Sequence, residues 1–136
     1  MSDAIPSDAT RGIARVRSAH SVAATLDRLE SLLEERGVLI FARIDFSGDA
    51  SRAGLTMKPE QLLIFGNPKA GTPLMLADPA AGIDLPLKAL AFEAGDGTVW
   101  LAYNEPQYII HRHGLAETLR TNIAAVAPLL ERAAAA

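Results

Sequence analysis

The fold is decided by residues 21–46, SVAATLDRLESLLEERGVLIFARIDF, in which the spacing of apolar residues changes from helical to strand-like at one glycine. Before Gly37, apolar side chains recur every three or four residues, the period of an amphipathic helix. They are Val22, Leu26, Leu29 and Leu33. Ser21 is a typical N-cap residue and Gly37 a typical C-terminal stop. The segment therefore predicts a helix followed at once by a strand.

The strand predicted over Val38–Phe46 alternates between two faces, as extended chain does. One face is predicted to be buried and carries Val38, Ile40, Ala42, Ile44 and Phe46. The other face begins with Leu39 and Phe41 and ends with Arg43 and Asp45. Two opposite charges two residues apart on one face favour a salt bridge over an acid–base role for Asp45.

The same periodicities predict the other elements of the chain. The further predicted strands are Ile13–Ser18, Gln61–Phe65, Lys88–Ala94 and Thr98–Tyr103. The last two flank Gly95-Asp96-Gly97 and form a hairpin. A final helix begins at Leu115, and Pro128 should kink or shorten it. This order predicts a two-layer α+β domain, with two long helices on one face of a largely antiparallel sheet and the other face free.

Composition limits the functional classes. With 136 residues, 49% hydrophobic and 21% charged, the chain is expected to form a single domain with its own core. The net charge of −3 argues against nucleic-acid binding, and the absence of Cys excludes disulfides and thiolate chemistry. No signal sequence or membrane span is evident, so a cytoplasmic protein with no membrane partner is expected. We expect a flexible tail over residues 1–9, a domain over 10–132 and an Ala-rich end over 133–136.

The segment Gly66–Pro73, GNPKAGTP, is the leading candidate for a site. It follows a predicted strand, and Thr72-Pro73 has the pattern of an N-cap followed by proline at the first helical position. Such an arrangement presents backbone N–H groups and a helix dipole to an anion. The spacing of the two glycines resembles a phosphate loop, but the Lys-Ser/Thr that should follow is missing, which argues against nucleotide hydrolysis. The predicted ligand-binding residues are Gly66, Asn67, Lys69, Gly71 and Thr72; a purely structural turn is the alternative.

Two other functional classes remain open. His111 and His113, with Asp45 or Glu93, are the residues for a metal-assisted or acid–base enzyme, although no metal motif is present. A structural homodimer joined through the free sheet face or an edge strand is the third class. On that face, Arg11, Arg15 and Arg17 share parity and, with Arg43, would form either a cationic patch or an ordinary solvated surface. No cofactor is expected.

Four strings together resemble the bacterial domain-of-unknown-function 302 family. They are ARID at 42–45, FGNPKAGTPLM at 65–75, DLPLKAL at 84–90 and VWLAYNEPQYIIHRHG at 99–114. The similarity runs from about Ser21 to Leu115. It implies a β-α-β4-α fold similar to the TATA-binding-protein class, and dimerisation, but no established activity. Because unusual turn residues are concentrated in the GNPKAGT segment, the leading functional prediction is a binding module for a small polar or anionic ligand at that segment. Trp100, Tyr103 and Tyr108 would supply an apolar wall, although Trp100 fits a core position equally well.

Overall fold

Five strands form one antiparallel sheet in the computed structural model, which describes residues 11–136 of the chain. The strands are β1 (Ile13–Ser18), β2 (Leu39–Asp45), β3 (Glu60–Gly66), β4 (Leu87–Glu93) and β5 (Val99–Asn104). Their order across the sheet is β1-β5-β4-β3-β2, so that β1 and β2 are the edges. The predicted α+β class and antiparallel sheet are confirmed. The flexible tail predicted for residues 1–9 lies outside the described residues.

Six α-helices complete the described part of the chain. They are α1 (Val22–Glu35), α2 (Phe46–Arg52), α3 (Pro68–Ala77), α4 (Pro106–Arg112), α5 (Arg120–Ala124) and α6 (Ala127–Ala134), with short 3₁₀ helices at Pro79–Asp84 and Glu117–Leu119. The predicted long C-terminal helix is thus divided, and Pro128 lies in the first turn of its last part, where a missing N–H costs nothing. Ala133 and Ala134 are buried in α6, beyond the predicted end of the domain.

Helices α1 and α6 cover one face of the sheet and enclose the main core. The Ser21 side chain accepts a hydrogen bond from the Ala24 amide at 3.1 Å, and Gly37 adopts a φ of 73° just after α1, as the sequence predicts. The apolar face of α1 packs on strand residues that are likewise inaccessible to solvent. The main core includes Leu26, Leu29, Leu33, Leu63, Phe65, Ala89, Ala91, Leu101 and Leu130. Each fully buried large side chain stabilises the fold by roughly 1.5–3 kcal/mol.

A β-bulge in β2 changes which residues face the helices. The pairing of β2 with β3 shifts register between Ile40 and Ala42. Ile40 pairs with Phe65 of the main core, whereas Ala42 pairs with Ile64, which lies on the opposite side of the sheet. The prediction that Val38–Phe46 keeps a single buried face is therefore wrong, because one inserted residue reverses every later side chain.

The bulge also redirects Arg43. Its guanidinium Nη1 lies 2.7 Å from an Asp27 carboxylate oxygen and 2.9 Å from one of Glu30, both on α1. The predicted Arg43–Asp45 salt bridge is wrong, since the Asp45 side chain instead caps α2 by accepting a hydrogen bond from the Gly48 amide at 3.0 Å. Arg43 therefore fastens β2 to α1 and cannot join Arg15 and Arg17 in a cationic patch on the other face.

A second core lies at the end of the sheet, among α3, α4 and α5. Its buried residues are Leu74, Ala81, Ile109, Ile110 and Ile123. Leu87 of β4 packs against both cores and joins them. The second core supports the segment between β3 and β4, in which the candidate site lies.

The side of the sheet away from α1 and α6 is here called the open face. Its central side chains are partly exposed, whereas their neighbours in the main core are fully buried. They are Leu62, Ile64, Leu90, Phe92 and Trp100. On the same face the Arg15 guanidinium lies over the Phe92 ring, 5.9 Å from its centroid. The free sheet face predicted from the sequence is thus apolar at its centre.

Candidate functional site

The GNPKAGT segment is helical for most of its length. Helix α3 begins at Pro68, and the Asn67 side chain caps it by accepting a hydrogen bond from the Lys69 amide at 3.0 Å. The predicted start at Thr72-Pro73 is wrong, because the Asn67-Pro68 pair satisfies the same capping requirement five residues earlier. Pro73 is accommodated inside the helix.

The amide groups that an anion would need are already hydrogen-bonded. Pro68 has no N–H, and the Lys69 amide donates to the Asn67 side chain. The amides of Ala70 and Gly71 both donate to the Asn67 carbonyl oxygen at 2.9 Å. The Lys69 residue is exposed. The first turn of α3 therefore satisfies its own donors, without help from a bound anion.

A cavity of about 250 Å³ lies beside α3, between the helix and the end of the sheet. Four of the five predicted site residues line it, namely Gly66, Asn67, Gly71 and Thr72. Lys69 is not in the lining. The predicted segment therefore borders a cavity, and this space lies on the side of α3 that faces the cores.

The walls of this cavity are mainly apolar. Side chains from both cores contribute to them, among which are Phe65, Leu85, Leu87, Ile123 and Val126. Polar side chains come only from Asn67, Thr72 and Asn122 among the lining residues. The Asn122 amide nitrogen donates to the Ala70 carbonyl oxygen at 3.1 Å, which leaves its own carbonyl oxygen as an acceptor. The site thus combines an apolar interior with a few neutral hydrogen-bonding groups.

Sequence reasoning missed the aromatic and α5 contributions to this cavity. The lining contains Phe41 and Phe65 but not Trp100, Tyr103 or Tyr108, the predicted wall. Trp100 lies on the open face, where its indole N–H donates to the Thr98 hydroxyl at 2.9 Å. The helical spacing that places Ile123 on the inner face of its helix was the available signal for this part of the lining.

The residues predicted for metal or acid–base chemistry are not brought together. His113 is held 2.6 Å from an Asp84 oxygen, whereas His111 is exposed. Glu93 pairs with Lys58 at 3.2 Å, and hydrogen bonds from the Ser47 hydroxyl and the Gly48 amide hold the pKa of Asp45 below its usual 3.8. Within residues 11–136, no three His, Cys, Asp or Glu side chains are grouped so that they could hold a metal ion.

The His113–Asp84 contact has a structural role instead. The His113 side chain is only 7% exposed, and Asp84 also accepts a hydrogen bond from Arg112 at 3.1 Å. This pair fastens the end of α4 to the residue just before Leu85, which lines the cavity. It therefore holds one wall of the site in place.

The family model for Domain of unknown function DUF302 matches residues 14–136. The chain belongs to this family. A DUF302 protein of known structure, the uncharacterized conserved protein from Bacillus stearothermophilus, superposes with a TM-score of 0.74. It is 18% identical, and the match covers 90% of this chain and 95% of that one. The similarity confirms the fold of this DUF302 domain.

Curated relatives of this DUF302 domain are longer proteins. The "Fluoride-specific ion channel FluC 1" of Brucella suis biovar 1 (strain 1330) is 44% identical over 104 residues, which cover 76% of this chain and 41% of the relative. The protein of the same name from Brucella abortus biovar 1 (strain 9-941) has the same identity, with 38% of its length covered. The chain thus spans about two fifths of the relatives it matches. In the described range, no helix has both the length and the apolar character needed to cross a bilayer.

Proposed function

We propose that this DUF302 domain is a binding module for a small molecule with an apolar body and a neutral polar end. The cavity beside α3 is the observation that supports the proposal. Its volume of about 250 Å³ is just below the range of about 300–1,000 Å³ typical of pockets for drug-sized ligands, so the ligand is small. Apolar walls with few polar groups are the usual composition of such pockets.

The polar end of the ligand would meet Asn67, Thr72 and Asn122. An uncharged group such as an amide, hydroxyl or carbonyl matches these side chains, because none of the lining residues is charged. An anionic end would be attracted by Lys69, which lies outside the lining. Ligand charge therefore distinguishes the two binding modes: the cavity should select neutral ligands, whereas a site at Lys69 of the GNPKAGT segment should select anions.

Gly71 offers a direct test, because an added Cβ would lie 4.0 Å from the nearest Leu85 atom and would meet no closer contact. Gly71→Ala should therefore leave the cavity open and stabilise α3 by about 0.5–1 kcal/mol. Gly71→Leu should extend into the cavity and block it. We expect neutral amphiphilic fragments, screened by thermal shift and ligand-observed NMR, to bind the wild type and Gly71→Ala but not Gly71→Leu.

Two results would contradict the proposal. One is a fragment panel in which every hit binds Gly71→Leu as tightly as Gly71→Ala, provided that both variants keep the wild-type circular dichroism spectrum. The other is a set of hits confined to anions whose affinity is lost in Lys69→Ala. The second result would instead support an anion site outside the cavity.

A second candidate function comes from the curated relatives. Proteins named as fluoride-specific ion channels contain a segment 44% identical to this chain over 104 residues. We therefore propose that the DUF302 domain acts as an accessory domain that adjusts fluoride permeation when it is part of such a protein or associated with one.

Liposome flux measurements test the second candidate. The matched segment of the Brucella suis relative is deleted in one version and replaced by this domain in another, and fluoride efflux is followed with a fluoride electrode. We expect the deletion to alter the efflux rate and the replacement to restore it. Equal efflux from all three proteins over the whole fluoride range would refute an accessory role.

A further inference from the structure

Phe41 lies at the rim of the cavity beside α3, at the position of the β-bulge. Its neighbours Ile40 and Ala42 both pair with residues of β3, whereas Phe41 itself has no partner there. The side chain lines the cavity, and the residue is about half exposed. β-Bulges are common next to functional sites, where the extra residue changes the direction of a side chain. The bulge residue of β2 thus supplies the cavity with a partly uncovered aromatic ring.

The Phe41 ring rests against Gly66, the first residue of the GNPKAGT segment. A Cβ placed on Gly66 would lie 3.3 Å from Cε2 of Phe41 and 3.6 Å from Cβ of Pro86. Carbon atoms in contact prefer a separation of about 3.5–4.0 Å, so a larger residue at position 66 would push the ring away. The first glycine of the segment therefore has a packing role, which is to let the ring lie at the rim of the cavity.

A thioether and a second phenyl ring line the same cavity. Met75 of α3 is exposed and so lies at the rim, whereas Phe65 is fully buried and belongs to the inner wall. Aromatic rings pair favourably with one another in edge-to-face or offset stacks, and with a thioether sulfur about 5 Å away. Together with Phe41, these side chains therefore favour an aromatic ligand over an aliphatic ligand of the same size.

The cavity volume and its polar groups limit the rest of the ligand. An apolar cavity of about 150 Å³ can hold benzene, so about 250 Å³ holds one six-membered ring with a short substituent. The Asn67 side-chain oxygen caps α3, which leaves its amide nitrogen as a donor, and the Asn122 side-chain oxygen is left as an acceptor. A carboxamide meets both requirements, because its oxygen accepts and its nitrogen donates.

We propose that the ligand of this cavity is a small neutral aromatic compound of the benzamide class, with its ring against Phe41 and Met75. This inference rests on the proposed binding function and adds the chemical class of the ligand. Binding covers apolar surface of both side chains that is otherwise exposed to water, which is favourable. Phe41 is then the residue that determines specificity for an aromatic ring.

Two probes that differ only in the ring test this assignment. Benzamide and cyclohexanecarboxamide carry the same carboxamide on a six-membered ring, and ligand-observed NMR at millimolar concentrations measures both affinities. We expect the wild type to bind benzamide about three- to tenfold more tightly. Phe41→Leu should weaken benzamide until the two affinities agree within about twofold, with little change for the aliphatic probe. Phe92→Leu, the same substitution on the open face and outside the cavity lining, should keep the preference.

A direct contact provides a second measurement that needs no variant. Nuclear Overhauser effects should connect the ring protons of bound benzamide to the Met75 methyl group. Their absence from a wild type that binds benzamide would overturn the assignment, as would equal affinities for the two probes in the wild type or a preference that survives in Phe41→Leu.

The blocked variant separates this inference from the proposed function on which it rests. If other neutral fragments bind the wild type but not Gly71→Leu, while benzamide shows no preference or no binding, only the aromatic assignment fails. If both probes bind Gly71→Leu as tightly as the wild type, they bind outside the cavity, and the aromatic assignment and the proposed function fail together.

Discussion

At the scale of single residues, Gly12 shows how closely the backbone packs at one end of the sheet. It is buried just before β1, with a φ of 67°, and a Cβ placed on it would lie 2.2 Å from Cγ of Tyr108 on α4. Gly37 has a similar φ of 73° but open space around it. Gly37 therefore requires glycine only for its backbone conformation, whereas Gly12 also requires it because Tyr108 occupies the space of a Cβ.

We expect Gly12→Ala to destabilise the fold well beyond Gly37→Ala. Both variants lose about 1–2 kcal/mol through the left-handed conformation, but only Gly12→Ala also forces Tyr108 to move. Urea denaturation of both variants measures the difference. In the Tyr108→Ala background, the difference in unfolding free energy between Gly12→Ala and Gly37→Ala should disappear. A difference that persists there would mean that Tyr108 is not the obstacle.

The carboxylate of Asp45 gives a pH-dependent prediction. Its pKa is lowered from 3.8, first by the Ser47 hydroxyl and then by the Gly48 amide. A lowered folded-state pKa means that the stabilisation is present above pH 3.8 and is lost as the pH falls through the folded-state value. The wild type should thus exceed Asp45→Asn in stability at pH 7 and lose this advantage in strong acid, as measured by denaturation at both pH values. A stability difference between the wild type and Asp45→Asn that is the same at both pH values would contradict this assignment. As a separate check, Ser47→Ala should raise the Asp45 pKa in an NMR titration.

At the scale of elements, the attachment of α6 depends on a side chain of α1. The Arg28 guanidinium donates to the carbonyl oxygens of Ala133 at 2.9 Å and Arg132 at 3.0 Å, in the last turn of α6. A cation at a helix C-terminus satisfies free carbonyl groups and complements the dipole. The contact links two helices that also share the main core.

Arg28→Met should keep the aliphatic packing of this side chain but lose the attachment. We expect a loss of about 1 kcal/mol, together with faster amide exchange in α6, because the final carbonyl groups lose a charged donor. Arg28→Lys should recover only part of this, since an ammonium cannot reproduce the planar fork. Arg36→Met, at an exposed residue after α1, serves as the control; an equal loss there would point to a general charge effect.

The helical and extended elements differ in how far sequence alone could predict them. Helix α1 was predicted correctly because its apolar residues form a single stripe that packs in one core, and because its capping residues are its immediate neighbours in the sequence. The reversal of faces in β2 could not be predicted, because the alternation of apolar residues in the sequence is the same with or without a β-bulge. The start of α3 was misplaced since Asn67-Pro68 and Thr72-Pro73 are both good capping pairs, and only tertiary packing selects between them. The cavity walls escaped prediction for a similar reason: Phe41 and Ile123 are far apart in sequence.

At the scale of the whole molecule, two cores share one strand. The main core joins the sheet to α1 and α6, and the second core joins α3, α4 and α5 at the end of the sheet. Leu87 contacts both. Since the second core has fewer buried residues, the elements around the cavity are expected to open more easily than the rest.

Hydrogen exchange should resolve these two units. We expect amides of α3 and α4 to exchange through a partial opening of lower free energy, while those of β4, β5 and α1 exchange only on global unfolding. Leu87→Ala should lower both free energies, because its side chain belongs to both cores, whereas Ile123→Ala should lower mainly the first. A single uniform opening energy throughout the described residues would show that the two cores unfold as one.

The bulge in β2 has one more consequence, for solubility. As an edge strand with Leu39 and Phe41 each about half exposed (50% and 52%), β2 is the kind of strand on which further chains can add to form fibrils. The break in register after Ile40 distorts the edge locally, so an incoming strand cannot form an uninterrupted ladder. We therefore expect this irregularity to slow amyloid-like growth from the β2 edge in a concentrated solution of the protein.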